Sequence, residues 1–276
     1  MHISLIILFI LINVTKHSYS QDSFRPQQEW LSSSLDSADA AFIDYMGFRR
    51  ANPIYEMRIP AIIAFIENSE FPKSARIEIL NRWYKSQANY AKGLQYQYGD
   101  RVDFSPIRSI LSRRGIRCVP EIEDGPQRIQ PFVPDTDFFL KYSFSLDDTL
   151  LTHFLNLVKD EESWRSDVFL VIKCEDFLNS FSASFYSPAV WKKYAAHTQM
   201  FLSNFALYRF DLGPDDHCTK ITRAIEDNKL YLTTYPKGLI APMVKRNLGK
   251  LLSITQRFCK ETDSLKRMRI IMNLAY

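Results

Sequence analysis

The sequence predicts an all-α protein of about nine to ten helices, exported and stapled by two disulfides. Three observations carry that expectation: glycine is sparse, apolar residues recur at helical spacing, and four cysteines follow an apolar leader. Hairpin-rich folds need glycine at turns with positive φ, yet only 8 glycines occur in 276 residues. Prolines instead stand where helices begin: Ser105-Pro106 and Ser187-Pro188 pair a capping residue with a first-turn proline. Ile59-Pro60, Phe71-Pro72 and Ala241-Pro242 fit the same position. Gly99, Gly115 and Gly213 each follow an apolar periodic segment, where a helix-ending glycine belongs.

The chain opens MHISLIILFILINVTKHSYSQ. An uncharged run from Ile3 to Val14, then Ser18 and Ser20 before Gln21, reads as a secretory signal peptide over residues 1–20. That run is too short for a stop-transfer span. Without those residues, 256 of the 276 remain, and loss of Lys16 brings the net charge from +4 to +3. So small a net charge argues for neither nucleic acid nor an anionic membrane as partner. The only N-x-S/T sequon, Asn13-Val-Thr15, lies inside the leader.

Helices are expected near 37–48, 59–68, 72–98, 106–114, 146–159, 165–182, 188–210, 216–234, 242–259 and 262–274. The third is the clearest. Ile77, Leu80, Trp83, Tyr84, Ala88, Ala91 and Leu94 share one face, while Glu78, Arg82, Lys85 and Lys92 take the other. In 188–210 the row is Val190, Tyr194, Phe201, Phe205 and Tyr208. The run VFLVIK, Val168–Lys173, could be a buried strand, but its flanks SWRSD and CEDFLNSF continue a helical pattern. Between Cys118 and Asp137 stand four prolines without helical period, a connector over 118–136. It divides a cysteine-free helical region, 21–117, from a disulfide-stapled helical region, 137–276.

Cys118, Cys174, Cys218 and Cys259 form an even set, which in an exported chain implies two bridges of undetermined pairing. No C-x-x-C spacing suggests a zinc or redox motif.

The densest polar stretch is LGPDDHCTK, Leu212–Lys220. Gly213 and Pro214 stop one helix, and Asp215 or Asp216 caps the next, both carboxylates meeting the positive end of its dipole. Neighbours at a helix start diverge, so Asp215, Asp216, His217 and Cys218 cannot converge on one ion. Cys218 as a nucleophile activated by the helix end and His217 is a weaker alternative. His153, His197 and His217 have no metal-ligand spacing, so neither a metal nor another cofactor is expected. Asp147-Asp148 reads as an acidic first turn under a Ser145 cap. No G-x-S-x-G, P-loop or G-x-G-x-x-G occurs.

Aromatic stripes such as Phe177–Phe181–Phe185 and Phe201–Phe205–Tyr208 are expected to be core, leaving a pocket or partner patch as the minority reading. Basic pairs at Arg49-Arg50, Arg113-Arg114, Lys245-Arg246 and Lys266-Arg267 fit solvated helix ends. Arg114 to Arg117 also spells an R-x-x-R processing site.

The function expected is a secreted, extracellular (or periplasmic) non-catalytic binding protein. Its partner would be a protein or an apolar small ligand, met near the 118–136 connector. One alternative is a carrier with an aromatic-lined cavity. Another is a hydrolase whose site, drawn from His217, Asp216 and His153, assembles only in three dimensions.

Overall fold

The computed structural model describes residues 25–41, 53–98, 111–118, 132–163, 165–203, 214–261, 266 and 269. Four in five of these are helical. The described helices are α1 (Arg25–Ala41), α2 (Pro53–Glu67), α3 (Lys73–Tyr98), α4 (Thr136–Ser145), α5 (Thr149–Glu162), α6 (Asp167–Phe181), α7 (Ser187–Ser203), α8 (Pro214–Thr234) and α9 (Ala241–Phe258). Two strands, β1 (Ile116–Cys118) and β2 (Phe132–Pro134), interrupt the series. The chain divides into two compact units, Met1–Leu155 and Asn156–Tyr276. The leader, the connector interior and the segment 262–265 lie outside the described residues, as do most of the helices expected at 37–48, 106–114 and 262–274.

In the first unit, α3 is the element the others cover. Leu80, Trp83, Tyr84, Ala91 and Leu94 are buried as the periodicity predicts, whereas Ile77 and Ala88 are only half-buried and Ile79, Ser86, Gln87 and Tyr90 join the buried face. Trp83 meets Phe139 at 4.9 Å and Phe138 at 5.6 Å between ring centres, and Tyr84 meets Phe139 at 5.1 Å and Phe154 at 5.9 Å. These edge-to-face contacts fill the space between α3, α4 and α5 with the rings themselves.

Several boundaries differ from expectation. Helix α2 starts at Pro53, so Pro60 lies inside it rather than at its first turn. The lost N–H is tolerated because Ile59, Ile62, Phe65 and Ile66 bury the helix around an exposed Pro60. Helix α4 was hidden by the prolines before it. Asp135 caps it by accepting from the Phe138 N–H at 3.1 Å. The ends of the connector pair as an antiparallel ladder, Ile116 opposite Pro134 and Cys118 opposite Phe132. Gly115 leads into it at φ 72°, and a side chain there would strike Phe138 and Phe139.

Ser145 is not the cap of α5. It sits in the last turn of α4, and Asp148 does the capping by accepting from the Leu151 N–H at 3.1 Å. Its other oxygen takes the Asn81 side-chain amide at 2.6 Å, which ties α5 to α3. Asp147, at φ 45°, makes the turn and pairs with Lys73 at 2.9 Å.

In the second unit α6 is a helix throughout, VFLVIK included. Helices α8 and α9 form an antiparallel hairpin closed at its base by the Cys218–Cys259 disulfide. Ile221, Ile225, Leu251 and Phe258 pack between them, and Asn247 donates to Asn228 at 3.2 Å further along.

One disulfide is present, not the two expected; Cys118 and Cys174 carry none. Cys174 lies on the buried face of α6, and burial pushes its thiol up to about 12, with Lys193 opposing and Glu161 adding to the rise. Cys118 lies on β1, in the other unit.

Two thiols per chain should therefore react with a thiol reagent in denaturant without reductant; none would mean a second bridge. The bridge spans 41 residues, so its reduction should cost about 4 kcal/mol by loop entropy, read as a lower thermal midpoint in reductant.

Candidate functional site

The polar groups of the second unit gather in one buried cluster, one half-buried cluster and one exposed surface. The first cluster centres on Glu175, which is 2% exposed. Val168, Val171, Glu175 and Leu178 follow one helical row of α6, so the carboxylate points where an apolar side chain would. Its Oε1 accepts from the Tyr194 hydroxyl of α7 at 2.8 Å, the Tyr231 hydroxyl of α8 at 2.8 Å and the Leu239 N–H at 2.9 Å. Oε2 has no partner among the described residues. Tyr231 also accepts from the Ile240 N–H at 3.4 Å, and Tyr235 donates to Asp176.

All of these contacts converge on the α8–α9 turn, residues 235–240. Gly238 is required there for space: a Cβ would stand 2.9 Å from Glu175 Oε2 and closer still to the Tyr231 hydroxyl. Burial, then the adjacent carboxylate of Glu175, raises the pKa of Tyr194 and Tyr231 above the ordinary tyrosine range. Burial, then Asp176, pushes Tyr235 up to about 12. Glu175, Tyr194 and Tyr231 are buried and spend their hydrogen bonds on one another and on the turn, while the Tyr235–Asp176 pair closes the cage at the surface. It is a staple for the turn.

The second cluster holds His197 of α7. Its Nδ1 lies 2.9 Å from Asp167 and its Nε2 lies 3.2 Å from Glu161, whose other oxygen pairs with Lys193. Both ring nitrogens are thus committed to carboxylates, and neither is left to take a proton from a substrate.

Helix α8 starts at Pro214. The side chains of Asp215 and Asp216 lie outside what the structure describes. His217 is buried, its ring 5.9 Å from that of Phe258, and Cys218 is oxidised, which removes it as a nucleophile. His153 is exposed on α5, in the other unit. Arg114 pairs with Glu56 at 2.6 Å and Arg117 lies in the ladder opposite Val133, so the R-x-x-R backbone is held rather than presented. In the first unit, an open groove of about 610 Å³ is lined by Arg25, Gln28, Glu29, Glu78 and Arg82. Gln28 and Arg82 both bond to Glu78 there.

The exposed surface was missed by reading basic pairs one at a time. From Asn228 to Lys260 the sequence holds seven cations (Lys229, Lys237, Lys245, Arg246, Lys250, Arg257 and Lys260) and no acid. Taking those seven from a chain total of +4 leaves all other residues at −3. Each of the seven is exposed, and none forms an ion pair among the described residues. The near-neutral total conceals this segregation; a windowed count of acids would have found it.

No protein-family model, no curated protein and no solved structure matches the chain.

Replacing Glu175 by Ala should destabilise the protein by about 3 kcal/mol, because three buried donors lose their acceptor, and Glu175→Gln by less than half of that. Denaturant melts of the two variants measure it. The raised tyrosine pKa contributes stability that is complete below pH 10 and is lost as pH climbs through about 12. The thermal midpoint should therefore fall across that window, together with the rise of tyrosinate absorbance.

Proposed function

We propose that the protein is an exported, non-catalytic binding protein whose recognition face is the cationic surface of the α8–α9 hairpin, and whose partner is anionic. The observation that carries this reading is the acid-free run Asn228–Lys260, with seven exposed cations on one hairpin. Ion pairing across a surface is the ordinary fate of exposed charge. The seven cations of this run lack a counter-charge among the described residues, so they attract an external one over roughly a Debye length, about 8–10 Å.

The apolar leader and the Cys218–Cys259 disulfide support export. Of the aromatic stripes that the sequence offered as a cavity lining, Phe177 packs on Phe181 and Phe201 on Tyr231, Phe185 stands exposed, and Phe205 and Tyr208 lie outside the described residues. Of the residues offered for a hydrolase, His217 is buried against Phe258, His153 is exposed in the other unit, and the Asp216 side chain lies outside the described residues. A binding role asks nothing of either group.

The test is salt elution from a polyanion matrix. Wild type is compared with Arg246→Glu/Lys250→Glu/Arg257→Glu and with Lys92→Glu/Arg113→Glu/Lys192→Glu, which alters net charge equally at exposed positions elsewhere. The first variant should elute at far lower salt than the second. Equal shifts would show that only net charge matters and would overturn the assignment of the hairpin.

A further inference from the structure

The hairpin reading above leaves the chemistry of the anionic partner open, and the arrangement of side chains on α9 narrows it. Met243, Arg246, Lys250 and Arg257 stand at i, i+3, i+7 and i+14, within about 60° of one another around the helix. They make one row about 21 Å long at 1.5 Å per residue. All four are exposed, while Val244, Leu251 and Phe258 of the same helix are buried. The row is therefore the outer face of a helix whose apolar face is already occupied. At its N-terminal end two large apolar side chains are left in solvent: Leu239 at 61% exposed and Met243 at 53%. Lys237, Lys245 and Arg246 flank them.

We infer that α9 docks along an anionic lipid bilayer. The cations of the row pair with acidic headgroups while Leu239 and Met243 enter the boundary of the acyl region. A nucleic acid would answer the cations but offers nothing to two exposed apolar side chains. An acidic protein needs a shaped counterpart, whereas a straight row of exposed cations on one helix face, ending in two exposed apolar side chains, suits a fluid plane with an apolar layer beneath its charges. The rest of the exported chain sums to −4 once Lys16 leaves with the leader, so the attraction to an acidic surface comes from this run and not from the chain at large. Since the apolar face of α9 is filled by its own unit, docking is superficial and reversible, unlike insertion of a free amphipathic helix.

The inference rests on the hairpin being the recognition face, so the experiment separates the two. Full-length protein is sedimented with vesicles of phosphatidylcholine alone and of phosphatidylcholine with a quarter phosphatidylserine. Wild type should bind the second and not the first, more weakly as salt rises. Each cation contributes about fivefold to partitioning, so Arg246→Glu/Lys250→Glu/Arg257→Glu should lower it about a hundredfold or more. Leu239→Ser/Met243→Ser should lower it about tenfold and leave polyanion elution where it was. Both variants change only exposed side chains, and unaltered thermal midpoints establish that they fold.

If wild type ignores acidic vesicles, or the Leu239/Met243 variant binds them as tightly as wild type, the lipid assignment is overturned. When polyanion elution still depends on the row, the hairpin reading survives with an acidic protein as partner. When that dependence is also missing, both readings fall.

Discussion

A single carboxylate holds the second unit in register. Glu175 comes from α6, and its one bonded oxygen gathers hydroxyls from α7 and α8 and a backbone N–H from the turn before α9. A buried charge is costly to desolvate, and it persists only where donors replace the water it has lost. Here three do. The arrangement makes the turn conformation a condition of burying the charge, so the turn is as firmly set as the helix core. Gly238 follows from it, since any larger residue would push into the carboxylate and the Tyr231 hydroxyl. The first unit uses the same device at lower stakes: Asp148 caps α5 with one oxygen and grips Asn81 of α3 with the other.

The sequence was most legible where one physical signal acted alone. Helix α3 is read directly from its apolar row, and α9 from Pro242 and the spacing of Val244, Leu251 and Phe258. The run VFLVIK resolves to helix because Cys174 and Leu178 extend its buried face beyond the length of a strand. Legibility failed where signals overlapped. The prolines of the connector masked the Asp135 cap of α4, and three-residue strands carry too few side chains to show alternation. Pro60 imitated a helix start inside a helix already begun. The even cysteine count implied two bridges, whereas Cys174 serves as a small apolar residue in the core.

The candidate surface shows a different kind of failure. Each basic pair, taken singly, has an ordinary explanation at a helix end. What sets the hairpin apart is the lack of acids over 33 residues, and an absence is invisible to a search for motifs. Glu175 was overlooked for the converse reason. An acidic residue on an apolar row looks like an error in the pattern, though its spacing with Val168, Val171 and Leu178 marks it as a charge that the fold must bury.

The hairpin that bears the cations is fastened at both ends, by a covalent bond between Cys218 and Cys259 at the base and by the Glu175 cage at the turn. Two helices fixed at both ends cannot slide or roll past one another without breaking one fastening. The charges on α9 therefore behave as marks on a ruler rather than beads on a string. A flexible basic tail adapts its spacing to whatever it meets, but a ruler measures. Its affinity should follow how densely negative charge is laid out on the opposing surface, and Leu239 and Met243 at its end add what a surface with an apolar layer beneath its charges can offer.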